Sequence, residues 1–160
     1  MAKGKGKTNE PEIVNRKARH DYTIDRTLEV GIVLQGSEVK SIRAAQASLA
    51  EGYVRAEAAP ARLTLHSVHI NEYPPAAGVN QHEPTRTRRL LAHKREIIKL
   101  ATDTLSKGVT IVPLKMYFKD GRVKLLIGVG TGKKKGDRRE DMREREAKRD
   151  IERAMSKKMR

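Results

Sequence analysis

Asp120-Gly121 stands between two alternating segments, Val109 to Phe118 and Arg122 to Val129, and this arrangement restricts the fold more than any other feature of the chain. Aspartate followed by glycine supplies the positive φ angles of a two-residue turn whose twist matches that of paired antiparallel strands. Pairing across the turn sets Phe118 opposite Val123, Met116 opposite Leu125 and Leu114 opposite Ile127, all pointing inward. The same register sends Lys115, Tyr117, Lys119, Arg122 and Lys124 to the other face, where a tyrosine among four cations can hold phosphates and stack a base or ribose. Pro113 has no N–H to donate and predicts an edge or a bulge near the start of the hairpin.

Upstream, Tyr22, Ile24, Leu28, Val30, Ile32 and Leu34 share one parity and polar residues the other, the period of a half-buried strand, with Arg26 marking a bend. Gln35-Gly36-Ser37 ends that strand, and Ser37 can cap a short helix that carries Val39 and Ile42 inward. Tyr53 to Glu57 and Arg62 to Ile70 predict two more strands, the second with a bulge at His66-Ser67 where the apolar parity switches. Residues 71–84 hold three prolines and form a loop long enough to suspect of function. After it, Thr85 is placed to cap a helix through about Leu105, with Leu90, Leu91, Ile97, Ile98, Ala101 and Leu105 on one stripe and Arg86, Arg89, Arg95 and Lys99 outside it. Short antiparallel strands with this order of helices predict a mainly β domain, a small OB-like antiparallel barrel with two to three helices.

The charge distribution says what such a barrel would bind. Residues 131–160 carry 13 Lys/Arg against 7 Asp/Glu and almost nothing apolar, so they cannot pack a core. Residues 1–14 are read as a disordered basic arm, 15–130 as the barrel, and 131–160 as a basic tail, disordered when free and helical on its target. In the tail Asp137 resembles an N-cap with Glu140 reciprocating, Asp141 to Arg145 and Glu144 to Lys148 are i, i+4 pairs, and Ile151, Met155 and Met159 make a thin apolar stripe. A net charge of +15 makes nucleic acid the leading partner, through counterion release from phosphates. The basic stretch Asn15 to His20 adds Arg16, Lys17 and Arg19 as candidate RNA contacts at the edge of the body.

Several chemistries drop out. There is no cysteine, hence no disulfide, thiolate zinc site or thiol nucleophile. Gly128 to Lys135 fails as a phosphate loop, because Ile127 stands where a Walker loop needs glycine and Lys134 where it needs Ser or Thr, so these glycines are read as a strand-to-tail junction. His66 and His69, three apart on a strand, point to opposite faces and lack further ligands. No nucleophile–base set or carboxylate pair is visible, and the expectation is a non-enzyme without cofactor or metal. No apolar run approaches the roughly 18 residues that span a bilayer, so a soluble, cytoplasmic monomer with no membrane partner is expected.

In chain order, six motifs carry a family resemblance. They are Asn15 to His20 with Tyr22; Leu34 to Arg43; Glu83 to Arg88; Leu90-Leu91 with Lys94-Arg95-Glu96; Val123-Lys124 to Gly128; and Gly132-Lys133-Lys134 followed by Asp137-Arg138-Arg139. Together they resemble the SsrA-binding protein (small protein B, SmpB) family of trans-translation. The resemblance implies a protein that binds the tRNA-like domain of transfer-messenger RNA and supports its aminoacylation. It also implies delivery of that RNA to stalled ribosomes, with alanyl-tRNA synthetase and elongation factor Tu as indirect partners through the RNA. Carried over by position, Glu38, Lys40, Arg43, Leu91, His93 and Lys124 would lie on the RNA side, Glu38 either accepting base or ribose donors or fixing a neighbouring arginine. Gly132, Lys133, Lys134, Asp137, Arg138 and Arg139 would act at the decoding centre and the empty mRNA channel of the small subunit. Two positions depart from the family pattern: Gly136 replaces a frequent aromatic or histidine, and His93 a frequent asparagine. The alternatives are a ribosomal protein or a general single-strand binder of OB type, and four Tyr, one Phe and no Trp are few for the latter.

Overall fold

The structure is a computed structural model that describes residues 9–76 and 78–158; the expectations for the first eight residues and for Met159 lie outside that range. In chain order the elements are β1 Ile13–Val14, α1 Arg16–Asp21, β2 Tyr22–Ile32, α2 Gly36–Arg43, β3 Ala47–Ser48, β4 Tyr53–Ala58, β5 Ala61–His66, β6 His69–Ile70, β7 Arg88–Leu91, α3 Lys94–Asp103, β8 Val109–Lys119, β9 Arg122–Gly132 and α4 Lys135–Lys158. The large sheet runs β8-β4-β5-β7-β2-β9, and β9 pairs back onto β8, so a six-stranded antiparallel ring closes into an OB-like barrel. Closure leaves no edge in the ring, which is how a small β protein avoids pairing with other chains.

The hairpin forms where the sequence places it, with Asp120 at φ 51° and Gly121 at φ 74°. Phe118 faces Val123 and Met116 faces Leu125, but the register slips between Pro113 and Lys115. Pro113, and not Leu114, therefore lies opposite Ile127. The bulge moves Leu114 into a small apolar cluster with Ala18 and Val112. A second slip between Ile24 and Arg26 in β2 turns Arg26 toward Asp103 of α3, with which it forms an ion pair. The parity switch near His66 is resolved by Ser67 at φ 56°, after which β6 leaves the ring to pair with β3.

Four expectations are corrected. The helix predicted from Thr85 to Leu105 is two elements: β7 bridges β5 and β2 to complete the ring, and α3 starts only at Lys94. Leu90 and Leu91 mimicked a helical stripe, but in the strand Leu90 points in and Leu91 out, and Leu105 is 85% exposed. The arm is shorter than residues 1–14, since Ile13 and Val14 pair with Met116 and Lys115. Gln35, rather than Ser37, precedes the first turn of α2, and Ser37 is buried against His82. Gly128 and Gly130 belong to β9 itself: a Cβ on Gly130 would stand 2.2 Å from the Thr23 carbonyl oxygen, so only glycine lets β2 approach there.

In the tail, Lys135–Lys158 form one continuous helix, roughly 36 Å long at 1.5 Å per residue. None of its residues is buried. Asp137 lies inside the first turn and accepts the Lys134 N–H at 3.2 Å, the reciprocal half of a capping box. Asp141 turns to Lys133, an ion pair in place of the one expected with Arg145.

Candidate nucleic-acid interface

Glu38 organises one end of the barrel. It lies in the first turn of α2 and is fully buried, with four N–H groups converging on its carboxylate. Arg86 Nε and Arg88 Nε donate to Oε1 at 2.8 and 2.7 Å; Arg86 Nη2 and the Gln35 N–H donate to Oε2 at 2.6 and 2.8 Å. Burial pushes the carboxyl up, but the bonds from Arg86, Gln35 and Arg88 outweigh it and hold the group below its ordinary value. Arg88, also fully buried, donates onward to the carbonyls of Val68, Arg86 and Pro84 at 2.8, 3.1 and 3.0 Å. Beside it His82 donates from Nε2 to the Ile70 carbonyl at 3.0 Å, and its Nδ1 shares a hydrogen bond with the Ser37 hydroxyl at 2.8 Å. This network clamps the loop before β7 onto α2.

Glu38 therefore cannot touch a base or ribose, and of its two expected roles the structure contains the fixing of arginines. Sequence reading missed Arg86, Arg88 and His82. The signal for Arg88 was its parity with Leu90, which points it inward.

Held in this way, α2 presents Lys40 and Arg43 outward. The Arg43 guanidinium lies 5.1 Å from the Phe118 ring centroid and the Lys40 ammonium 5.2 Å from that of Tyr73, both within cation–π range. A cleft of about 300 Å³ opens between α2, β7 and the hairpin tip, lined by Leu34, Val39, Leu91, Arg122 and Lys124. Gly31 of β2 sits in register with both Leu91 and Lys124 and so brings those two candidates together. A Cβ on Gly31 would meet Leu91 Cβ at 3.2 Å. Leu91 is half exposed at this cleft. His93 is exposed just beyond β7, where its N–H is held by Glu96 at 3.0 Å as α3 begins.

Of the four cations expected around Tyr117, two, Lys115 and Lys119, are already paired with carboxylates; Tyr117 is itself engaged. Its hydroxyl donates to Glu29 of β2, which also accepts Lys119 at 3.0 Å, while Lys115 pairs with Glu12 at 2.6 Å. Desolvation and the Glu29 carboxylate push the phenol up to about 12, and the Tyr117 hydroxyl draws Glu29 below its usual range. Lys124 and Arg122 form no ion pair among the described residues.

The remaining candidates gather at the other end of β9. Lys124 is in register with Gly31 and Gly132 with Tyr22, eight residues apart, or roughly 26 Å along the strand. Buried Asn15 caps α1 by accepting the Ala18 N–H at 3.0 Å and ties it to the barrel through the Leu49 and Pro113 carbonyls at 2.9 and 2.8 Å. Arg16, Lys17 and Arg19 are exposed on this helix, with Lys17 on Glu51 at 2.6 Å, so they adjoin the tail and not the cleft. The Lys133 N–H donates to the Asp21 carbonyl at 2.8 Å, and its ammonium reaches the Arg19 carbonyl at 3.3 Å and the Asp141 carboxylate. Arg138 Nε approaches Asp21 at 3.9 Å; the hydrogen bond from His20 is the main reason Asp21 is held below the ordinary carboxylate value. Lys134 and Arg139 project from the base of α4 and are exposed. Among the described residues there is no cluster of His, Asp and Glu that could hold a metal ion, and no helix long and apolar enough to cross a membrane.

The SmpB protein family model matches residues 12–157. An SsrA-binding protein of Listeria welshimeri serovar 6b is 51% identical over 154 residues, 96% of this chain and 96% of its own. An SsrA-binding protein of Halalkalibacterium halodurans is 52% identical over 146 residues, 91% of this chain and 93% of its own. A solved chain described as "tmRNA-SmpB: a journey to the center of the bacterial ribosome" superposes with a TM-score of 0.65 at 42% identity, covering 78% of this chain and 86% of that one. With a family match over nearly its whole length and relatives at half identity, the chain belongs to the SmpB protein family.

Proposed function

We propose that this protein binds the tRNA-like domain of transfer-messenger RNA, supports its aminoacylation and brings it to stalled ribosomes, acting by binding alone. The observation that carries this reading is the division of its basic residues between two ends of a rigid barrel, in a chain whose relatives are SsrA-binding proteins. The cleft end, with Lys40, Arg43, Leu91, His93 and Lys124, takes the folded RNA; Glu38 positions α2 from within. The other end, with Arg16, Lys17 and Arg19 on α1 and Gly132, Lys133, Lys134, Asp137, Arg138 and Arg139 at the tail, faces the decoding centre. Helix α4 has no buried residue to hold it on the body, which suits a segment whose binding surface is the empty mRNA channel of the small subunit.

The test is binding of the full-length protein to the tRNA-like domain at near-physiological salt, with an unrelated folded RNA and single-stranded DNA as competitors. Selective binding is expected, and equal binding to all three overturns the reading. A chain ending at Lys133, which keeps all of β9, should bind the RNA as the full chain does yet fail to support tagging on stalled ribosomes.

A further inference from the structure

The outer face of β4, β5 and β7 carries a feature the two basic ends leave unused. Tyr53 and His66 are cross-strand partners whose rings stack with centroids 5.0 Å apart and planes inclined by 10°. His66 is fixed in its plane by Thr64 Oγ1 at 2.9 Å and Thr87 Oγ1 at 3.4 Å. His66 covers one face of Tyr53, and Tyr53 is still 46% exposed. The next row of the sheet sets Arg55 opposite Thr64 and Thr64 opposite Arg89. Val54, Leu63, Leu65, Arg88 and Leu90 point inward, so Arg55 and Arg89 point to the side of the Tyr53 ring. Arg55 is 67% exposed and lies 3.4 Å from Glu57, and the cavity that Tyr53 lines also holds Asp21 and Glu51, the latter paired with Lys17; Arg62 and Arg89 have no ion-pair partner among the described residues.

We infer that this face is a further RNA contact, in which an unpaired base of a structured RNA stacks on the outward side of Tyr53 and its flanking phosphates lie on Arg55 and Arg89. An aromatic held in its plane by a second ring loses little freedom on stacking; Arg55 lies two residues, roughly 7 Å, along the same strand, and Arg89 lies two strands across in that row, so the two cations follow a backbone leading away from the stacked base. On β7, Arg89 and Leu91 are alternate residues of one outer face, so the platform continues into the cleft at Leu91 and Lys124. The inference rests on the RNA-binding reading above, and the RNA can be either the tRNA-like domain or ribosomal RNA.

The experiment measures binding of full-length wild type, Tyr53→Leu, Tyr53→Phe and the pair Arg55→Gln with Arg89→Gln to each of two probes, the tRNA-like domain and salt-washed small ribosomal subunits, over a range of salt. Thermal melts check that each variant is folded, and wild type on each probe tests the underlying reading separately. Tyr53→Phe should bind as wild type and Tyr53→Leu roughly five- to a hundredfold more weakly, the range for loss of one stacked base. The arginine pair should flatten the slope of log K against log salt by about 2. Losses confined to one probe identify the source of the base. Variants that bind both probes like wild type, or an equal loss with Tyr53→Phe, would overturn the inference.

Discussion

Glutamine in place of Glu38 separates a residue that touches RNA from one that holds the surface that does. The amide can accept at one end only, and its NH2 group then faces two of the four donors now on the carboxylate. Arg88 stays fully buried with its countercharge removed. Breaking one side of a buried ion pair costs about 3–5 kcal/mol, consistent with two lost charge-assisted bonds at roughly 1.5–3 kcal/mol each. For a domain of this size that lowers the melting temperature by on the order of 10 °C. The loss depends on pH with a definite sign. The folded carboxyl lies below its ordinary value of 4.5, so its ionic stabilisation is complete above that value and disappears as pH falls through the folded pKa. Wild type and Glu38→Gln should thus differ most near neutrality and converge in acid, as followed by calorimetry. Replacing both members, Glu38→Leu with Arg88→Met, should recover part of the loss, because Arg86 is partly exposed and can turn to water. If Glu38→Gln melts within about 2 °C of wild type while RNA binding falls, Glu38 acts on RNA directly and the argument from burial fails.

Two glycines should respond in opposite directions. Gly130→Ala drives a Cβ into the backbone of Thr23 and should cost about 1–3 kcal/mol or more in urea denaturation, whereas Gly136→Ala has open space in a helix and should raise α4 helicity by circular dichroism, with a gain of about 0.5–1 kcal/mol in that helix. In an ultraviolet titration of the four tyrosines one phenol should ionise only near pH 12; Tyr117→Phe should remove that late step, and a titration that instead completes near pH 10 would show that Glu29 and burial do not act on it.

The elements legible in the sequence are those whose instructions are local. Asp120-Gly121 specifies its own turn, the parity of β2 survives a one-residue bulge, and a segment with so few apolar residues as the tail cannot enter a core whatever surrounds it. Residues 85–105 were misread because Leu90, Leu91, Ile97 and Ile98 satisfy a helical wheel and a strand followed by a helix equally well. The choice belongs to β2 and β5, whose unpaired backbone groups need a strand between them, and no local propensity records that demand. The same holds for the site. Charge and motif order pointed to the cleft and tail residues, but the sheet register alone separates them by roughly 26 Å and assigns Arg16, Lys17 and Arg19 to the tail end.

By itself, then, the sequence determined a basic β-hairpin domain with a helix-forming tail and a polyanion for a partner, because turn chemistry, alternation and net charge act over a few residues or over the whole chain at once. Only the tertiary structure decided that Glu38 is an internal anchor, that Tyr117 is tied to Glu29, and that Tyr53 is backed by His66. Each of these rests on side chains 13 to 88 positions apart, brought within bonding or stacking distance by the pairing and packing of the folded elements.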